Sequence, residues 1–577
     1  MTAPRYLGLI GDVPPEADKN LGILPPDLHL IVNRAYFRLW ASKEAIRIGD
    51  VGAIVGHLFT RSRPARRVLT LTSEQEERIR KTNGSSLFEE FWGGYVAFVE
   101  TQDGGCRVLR DPSGTLPAYW LRHSQQIIIA AEILDYPSTA RANLRVDVEG
   151  LTVHLWDLHH LGERTCLSGV RELLPGYALH VGSGGSDTCA LWSPWDHVAS
   201  RTRSRVIDPE ELRLTVVDTM RAWAGCFDGI VLGMSGGLDS SIIGSVLGRL
   251  PISACGLNMA WSDREGDERA FAQQAADAFC MPLRTFQYQL DQVNIAAPVV
   301  ATVPRPFLAP YAQSIALAQD AVAESMPVAA FFSGEGGDGV FGLMQSVTPV
   351  VDRLYARSPL RELVGTIRDV ATLTGGDLTT IARHTLGRIF GRSSRRAATG
   401  DPSFLVPSRL DQALDSAPPH PWFKPPSATL PGSAAHVRMI RRALGNDGFH
   451  TRLTHPPTIS PLLAQPIVEM CLGIPSWEWV CNGIDRSVAR SAFTQDLPAP
   501  IVCRRSKGGP SGFLDHLFWE NEAKILDQLR SGFLADNEIV TCIPADPHSG
   551  QRYDFTPAQP RRLLGLVAAE TWARCWA

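Results

Sequence analysis

At 577 residues the chain exceeds what one hydrophobic core organises, so two or more domains are expected. With 44% hydrophobic and 20% charged residues, a net charge of -4 and no apolar run near the roughly 18 residues of a spanning helix, it reads as a cytoplasmic protein with no nucleic-acid partner and no membrane insertion. The 11 cysteines form no CxxC pair and no Cys/His cluster at zinc spacing, which predicts reduced, mostly buried thiols and no structural metal site.

In chain order, "RYLGLIG" (5–11) comes first, and up to about residue 200 short apolar runs follow one another: "HLIV", "GAIVGHLF", "YVAFVE", "CRVLRD", "IIIAAEI", "ALHVGS". Their Gly and Pro punctuation predicts packed antiparallel sheets. From Asp208 the period changes. "DPEELRLTVVDTMRAW" places Asp208 as N-cap and Pro209 at the first helical position, and thereafter strands alternate with helices: "GIVLGM", "PISACGLNM", "LRTFQYQ", "VAAFFSG". That alternation predicts a parallel sheet flanked by helices. The expected fold class is thus α+β followed by α/β, with domains at 1–200 and 208–577 divided in the polar stretch 198–207. Two later segments look inserted. Residues 387–402 carry Arg388, Arg392, Arg395 and Arg396 and read as a solvated loop; the proline-rich 417–432, with Trp422 and Phe423, reads as a surface connection in preference to a substrate-facing lid.

The most informative stretch is "VLGMSGGLDSSIIGSVLG". An apolar strand runs into Ser235, Gly236, Gly237, Leu238, Asp239, Ser240 and Ser241 and then a helix. The glycines allow a tight turn that aims successive N–H groups and the helix start at one point, which favours an anion. It has neither the lysine of a Walker loop nor the spacing of a dinucleotide turn. The three serines add donors for a pyrophosphate, and Asp239 is the natural ligand of a Mg²⁺ set between carboxylate and phosphates.

SGGxDS resembles the pyrophosphate loop of the ATP pyrophosphatases. "FFSGEGGDGVFG" (331–342) resembles the SGEGADE-x-FGG segment of asparagine synthetases, retaining Ser333, Gly334, Glu335 and Asp338, although Gly339 replaces the family's glutamate. The resemblance implies ATP and Mg²⁺ as cofactors, with the metal held by Asp239 and Asp338. It also implies nucleotide contacts at Gly233, Ser333, Gly334 and Leu257, the last in the strand where family members hold the base. In "LPAPIVCRRSKGGPSGF" Lys507 aligns with the lysine that asparagine and β-lactam synthetases place beside the reacting carbonyl, where an ammonium stabilises charge on the α-phosphate and then on a tetrahedral oxyanion.

Further resemblances lie in "RDPSGTLPAYW" (110–120) and "AEILDY" (131–136), which are similar to segments of the glutamine domain of asparagine synthetases. The first part therefore resembles an N-terminal-nucleophile amidotransferase sandwich, but a degenerate one. Leu7 stands where the nucleophilic cysteine belongs, with six residues ahead of it, so neither thiolate nor terminal amine is in place for glutamine hydrolysis. An amide-forming enzyme without that ammonia takes its amine from elsewhere. Residues 460–512 resemble the lasso peptide macrolactam synthetases (lasso cyclases): Ala464 replaces the aspartate of the asparagine synthetases' small pocket, and Glu335 the tyrosine of β-lactam synthetases. This resemblance implies an AMP-forming ligase in which ATP adenylates an Asp or Glu side chain of a ribosomal precursor peptide. The peptide's own N-terminal amine then closes a macrolactam, Lys507 and Glu335 being the catalytic residues and Glu335 orienting or deprotonating the amine. A leader peptidase and a leader-recognition protein are the implied partners. An ammonia-dependent asparagine synthetase, another amide or β-lactam-type synthetase, and a catalytically dead nucleotide-binding scaffold are the alternatives left open.

Overall fold

The computed structural model describes residues 3–11, 27–42, 45–199, 208–261, 267–390, 400–444, 449–506, 508–541 and 555–577. Its first part is a sandwich of two antiparallel sheets. One has six strands in the spatial order Arg171–Glu172, Tyr119–His123, Gln126–Ala130, Tyr6–Ile10, Phe37–Ala41, His29–Asn33. The other, of seven, is built around Cys106–Arg110, Phe91–Glu100 and Gly52–Thr60. Strand alternation decides which side chains meet between the sheets. Tyr6 and Ile10 point inward with Phe37, Phe98 and Ile129, while Leu7 and Leu9 point outward into a core shared with Leu151 and Leu563 of helices Val148–Trp156 and Gln559–Arg574. Gly8 is obligatory between them, since a Cβ there would lie 2.5 Å from the Phe98 ring. The run of strands is interrupted by Val148–Trp156 and by Ser73–Lys81, which opens on a Thr72/Gln75 capping box.

The second part is a parallel five-stranded sheet in the order Leu283–Gln287, Ser253–Ala260, Gly229–Gly233, Ala330–Phe332, Thr458–Ile459. Val231, Leu257 and Phe331 cover one face with helix Ala312–Ser325; Ile230 and Leu232 meet helices Pro209–Ala224 and Leu238–Leu247 on the other. Asp208 caps the first of these through Glu210 N–H at 3.0 Å, with Pro209 at its first position. The chain leaves Gly229–Gly233 toward one edge and later crosses to Ala330–Phe332 on the other side. Strand order therefore reverses between these two neighbours, and a crevice opens at their carboxyl ends.

The two parts share their cores. Trp223 packs edge-on against Phe59 and Trp92 of the second sheet, with centroids 5.1 and 6.5 Å apart. Glu132 accepts from the Thr302 hydroxyl at 3.1 Å and from Arg452 N–H at 2.9 Å. Residues 200–207, most of the expected boundary, lie outside the described residues, as do 391–399 of the arginine-bearing segment. The expectation of mostly buried thiols is corrected: Cys106, Cys166, Cys255 and Cys471 are buried, but Cys280, Cys503 and Cys575 are exposed. Each exposed one sits just past a helix C-terminus, where no second layer covers it.

Candidate active site

The serine-glycine turn lies at the crevice. Gly236 has φ 67°, and a Cβ there would come within 2.3 Å of the Phe271 backbone, so the turn admits only glycine. Gly237 is the N-cap of helix Leu238–Leu247 and offers no side-chain cap, leaving the first N–H groups for a ligand. The hydroxyls of Ser235 and Ser240 lie 3.3 Å apart across the turn, and Gly237 N–H donates to Ser235 Oγ at 3.2 Å. Ser241 Oγ is buried and has no hydrogen-bond partner among the described residues. Gly233 and Leu257 are register partners on adjacent parallel strands, and Asn258 pins the turn by donating to the Met234 carbonyl at 2.8 Å.

The second glycine-rich segment is brought against the first. A Cβ at Gly334 would lie 2.9 Å from Ser240 N, and one at Gly337 2.3 Å from the Asp239 carboxyl carbon. Both segments thus touch backbone to backbone. Asp338, on the short helix Gly337–Val340, comes beside Asp239. Glu335 N–H donates to Ser333 Oγ at 3.1 Å.

The residue that holds these carboxylates together was missed in the sequence. Arg486 Nη1 lies 2.6 Å from Asp338 Oδ1 and 3.3 Å from Asp239 Oδ2. Its backbone is left-handed, φ 50° and ψ 32°, at the start of helix Ser487–Ala492, and Nε donates to Asp485 at 3.4 Å. A non-glycine residue so placed carries strain of about 1–2 kcal/mol. Burial pulls the guanidinium down, but Asp239, Asp338 and Asp485 outweigh it and raise its pKa above the ordinary value. The stretch "GIDRSVARSAF" carries the residue in plain view, but nothing in it announces the left-handed turn that aims it.

Lys507 lies outside the described residues. On either side of it, Arg504 donates to the Ser235 carbonyl at 3.2 Å and to Glu268 at 2.6 Å, and Gly508 N–H donates to the same Glu268 oxygen at 3.1 Å. The Arg504 guanidinium also stacks 4.1 Å over the Phe271 ring. Glu268 and Arg504 therefore tie the residues flanking 507 to the serine-glycine turn.

A chamber of about 570 Å³ is lined by Gly233, Ser235, Leu257, Ser333 and Glu335, by His154 and Glu172 of the first part, and by Trp422 of the proline-rich segment. Tyr311 lines it opposite Glu335; burial first, then the Glu335 charge, raise the Tyr311 hydroxyl. The proline-rich segment is corrected in part: His420 and Trp422 are buried and line the chamber, Trp422 at 2% exposure, while 424–428 lie exposed as a surface connection would. Leu7 is fully buried in mid-ladder, paired with Trp40 and Ala130, and is not among the chamber's lining residues.

The donor set fits Mg²⁺ and a nucleotide. Two facing carboxylates suit a hard cation, which completes its shell with phosphate oxygens and water. Arg486 shows that a positive charge is already accommodated between them. Among the described residues no group of three or more His, Cys, Asp or Glu could hold a metal, and no helix is long and apolar enough to cross a membrane.

No curated protein sequence matches the chain. Solved structures similar to it include the allosteric regulatory enzyme of purine biosynthesis, 10% identical over 52% of this chain and 82% of that one, with a TM-score of 0.22. Another is the glutamine phosphoribosylpyrophosphate (PRPP) amidotransferase of B. subtilis complexed with ADP and GMP, 9% identical over 74% of this chain and 99% of that one, with a TM-score of 0.20. The family described as asparagine synthase matches residues 229–398 and 454–574, just over half of the chain. Those stretches contain the nucleotide turn, Asp338 and Arg486, and the chain belongs to the asparagine synthase family, whose members form amides at the expense of ATP and use Mg²⁺.

Proposed function

We propose that this protein is an AMP-forming ligase that joins a carboxylate and an amine of one substrate molecule, closing a macrolactam in a leaderless precursor peptide in the cytoplasm. The observation that carries the reading is a contrast: Ser235 of the serine-glycine turn and Glu335 line one chamber, with Asp239 and Asp338 of the same two segments joined through Arg486, while Leu7 is sealed in the sheet. That contrast supports a site that activates an acid and takes its amine from the same molecule.

The chain's residues then divide the work. N–H groups and hydroxyls of residues 235–241 receive the pyrophosphate that departs when an Asp or Glu carboxylate of the peptide attacks the α-phosphate of ATP. Asp239 and Asp338 would hold Mg²⁺, which when bound would supply charge against the phosphate oxygens. Arg486 adds a fixed positive charge to the same side of the site. Lys507 is assigned the charge that develops on the α-phosphate and later on the tetrahedral oxyanion. The peptide's N-terminal amine, freed by a partner leader peptidase after a leader-recognition protein has delivered the precursor, has a pKa of about 7.7–8.0 and is partly neutral already. Glu335 orients it and accepts its proton. Positioning is the main contribution, because a chamber that holds both ends together replaces a bimolecular encounter with a unimolecular one.

The test is incubation of the full chain with ATP, Mg²⁺ and candidate leaderless peptides, read by intact mass and nucleotide analysis. The expected result is loss of one water per peptide with one AMP and one pyrophosphate. Product that forms only when ammonium or glutamine is added, or release of ADP and phosphate, refutes the reading.

A further inference from the structure

Helix Ala312–Ser325 serves a core with one stretch and the chamber with another. Ala318 and Val322 pack with Val231, Leu257 and Phe331 on one face of the parallel sheet. At its start, Tyr311, Ala312 and Ile315 line the chamber instead. Their spacing of i, i+1 and i+4 sets them on one face of the helix.

Three apolar residues of the chamber stand apart from the others. Phe307, Ile315 and Phe449 line it and are each half-buried, yet none of them belongs to an apolar core among the described residues. By contrast, Leu257 and Phe331 are claimed by the core under the sheet, and Tyr288 and Tyr311 pack against the core that holds Phe513. Phe307 and Phe449 meet at a tilted 58° with centroids 6.0 Å apart. Apolar surface that no core covers, gathered inside a cavity and not scattered over the exterior, is what a ligand site presents.

Charge does not compete for this surface. Glu172 is held by Arg110 at 2.7 Å and by Arg305, and Glu268 by Arg504 at 2.6 Å. Glu335 and Arg441, the other charged lining residues, are opposite in sign. Burial keeps His154, His159 and His420 neutral, against the pull of Asp157 on the first two. His450, whose ring centroid is 4.8 Å from that of Phe449, is lowered to about 4 by burial and is neutral as well.

The surface is continuous with the candidate chemistry. Tyr311 lies near enough to Glu335 for that carboxylate to act on its hydroxyl, and Ile315 follows one helical turn, about 5.4 Å, farther on. What covers Ile315 is therefore within a residue or two of what meets Glu335. At about 570 Å³ the chamber has the volume of a small-ligand site, about 300–1,000 Å³. It holds the reacting groups and their immediate neighbours, not a whole peptide.

We propose that Phe307, Ile315 and Phe449 form a seat for a large apolar side chain, aromatic or long aliphatic, carried by the substrate next to the acid that is activated. This names the substrate class for the ligase reading and rests on it. The seat selects such a residue over a small or charged one, because only an apolar side chain of that size covers all three.

The experiment compares N-acetyl-Phe-Asp-Gly amide with N-acetyl-Ala-Asp-Gly amide by calorimetric titration of the full chain in the presence of Mg²⁺ and a non-hydrolysable ATP analogue. Wild type should bind the Phe peptide at least tenfold more tightly than the Ala peptide. In Ile315→Asn that ratio should fall close to one, and in Phe449→Ala it should fall severalfold. Leu317→Asn, on the same helix but 47% exposed and outside the lining, should keep the wild-type ratio. Affinity for the ATP analogue should be unchanged in all three. A wild type that binds the two peptides alike or binds neither overturns the seat, as does a ratio that survives both Ile315→Asn and Phe449→Ala. Equal loss in Leu317→Asn overturns it too, and weakened binding of the ATP analogue by Ile315→Asn would give the surface to the nucleotide base instead. Failure of the ligase reading appears separately, as a protein that prefers the Phe peptide but forms ADP from ATP.

Discussion

Replacing Arg486 by methionine removes a charge from between two carboxylates and leaves them facing each other. At an effective dielectric of about 20, a guanidinium about 4 Å from a carboxylate centre gains roughly 4 kcal/mol, and here two carboxylates share it. The group is only 13% exposed, with Asp239 at 14% and Asp338 at 29%. Breaking a pair at this depth costs about 3–5 kcal/mol, because the partner charges are stranded. A divalent cation would compete with Nη1 for the same oxygens in wild type and meet no competitor in the variant. Mg²⁺ at about 100-fold its dissociation constant would return roughly 2.7 kcal/mol. Thermal unfolding with and without Mg²⁺ measures both effects. The Met variant should melt well below wild type without the metal, and its midpoint should rise more than wild type's when Mg²⁺ is added. A variant that melts like wild type, or that responds to Mg²⁺ no more than wild type does, refutes the assignment of Arg486 as the counter-charge of this aspartate pair.

Gly236→Ala sets a Cβ against the Phe271 backbone at φ 67°, so the turn must shift. ATP affinity measured by titration should drop at least about tenfold, or about 1.4 kcal/mol, and an unchanged affinity would show that the turn does not hold the nucleotide. Leu7→Cys introduces a thiol at the position that the sequence reading compares with a nucleophilic cysteine, but the side chain there is fully buried within the ladder. Glutamine should yield no ammonia and the thiol should resist alkylation in the folded chain; ammonia release would overturn the account of the first part. Burial holds His154 at about 3, and His159, His436 and His450 at about 4, so the unfolded chain protonates these rings while the folded chain does not. Their contribution to stability is complete above about pH 6.5 and is lost as pH falls toward about 4. Asp111, Asp135 and Asp352, each raised to about 6 by burial, take up protons in the folded state and offset part of the loss. Urea midpoints should still fall between about pH 7 and about pH 5, and a midpoint that climbs on acidification would contradict the sign.

What was legible in the sequence is what is local. The N-cap at Asp208, the start of the helix at Leu238 and the parallel strands follow from residues adjacent in the chain, and the structure places them as read. The capping box at Thr72 was equally local but lay in a stretch dominated by strand periodicity. The aspartates of the turn and of the second glycine-rich segment were each visible as motifs. Their common partner was not, since Arg486 is 247 residues from Asp239 and is aimed by a left-handed turn that no composition announces. Trp422 was misjudged for a related reason. Proline-rich chain usually runs over a surface, as 424–428 do, and only the tertiary fold shows that His420 and Trp422 turn in to line a cavity against the other half of the molecule.

The joining of the sandwich to the second part has a physical explanation in the same contacts. Its outer faces are apolar on both sides: Phe59 and Trp92 receive Trp223, while Leu7 and Leu9 share a core with Leu563 of the C-terminal helix. Removing the first part would expose both interfaces to water, at roughly 25 cal/mol for each Å² of apolar surface uncovered. It also supplies His154 and Glu172 to the chamber wall, and Glu132 to the residues around 302 and 452. Leu7 suits this place in the fold, because an aliphatic side chain fills a dry core position where a thiolate would need solvation.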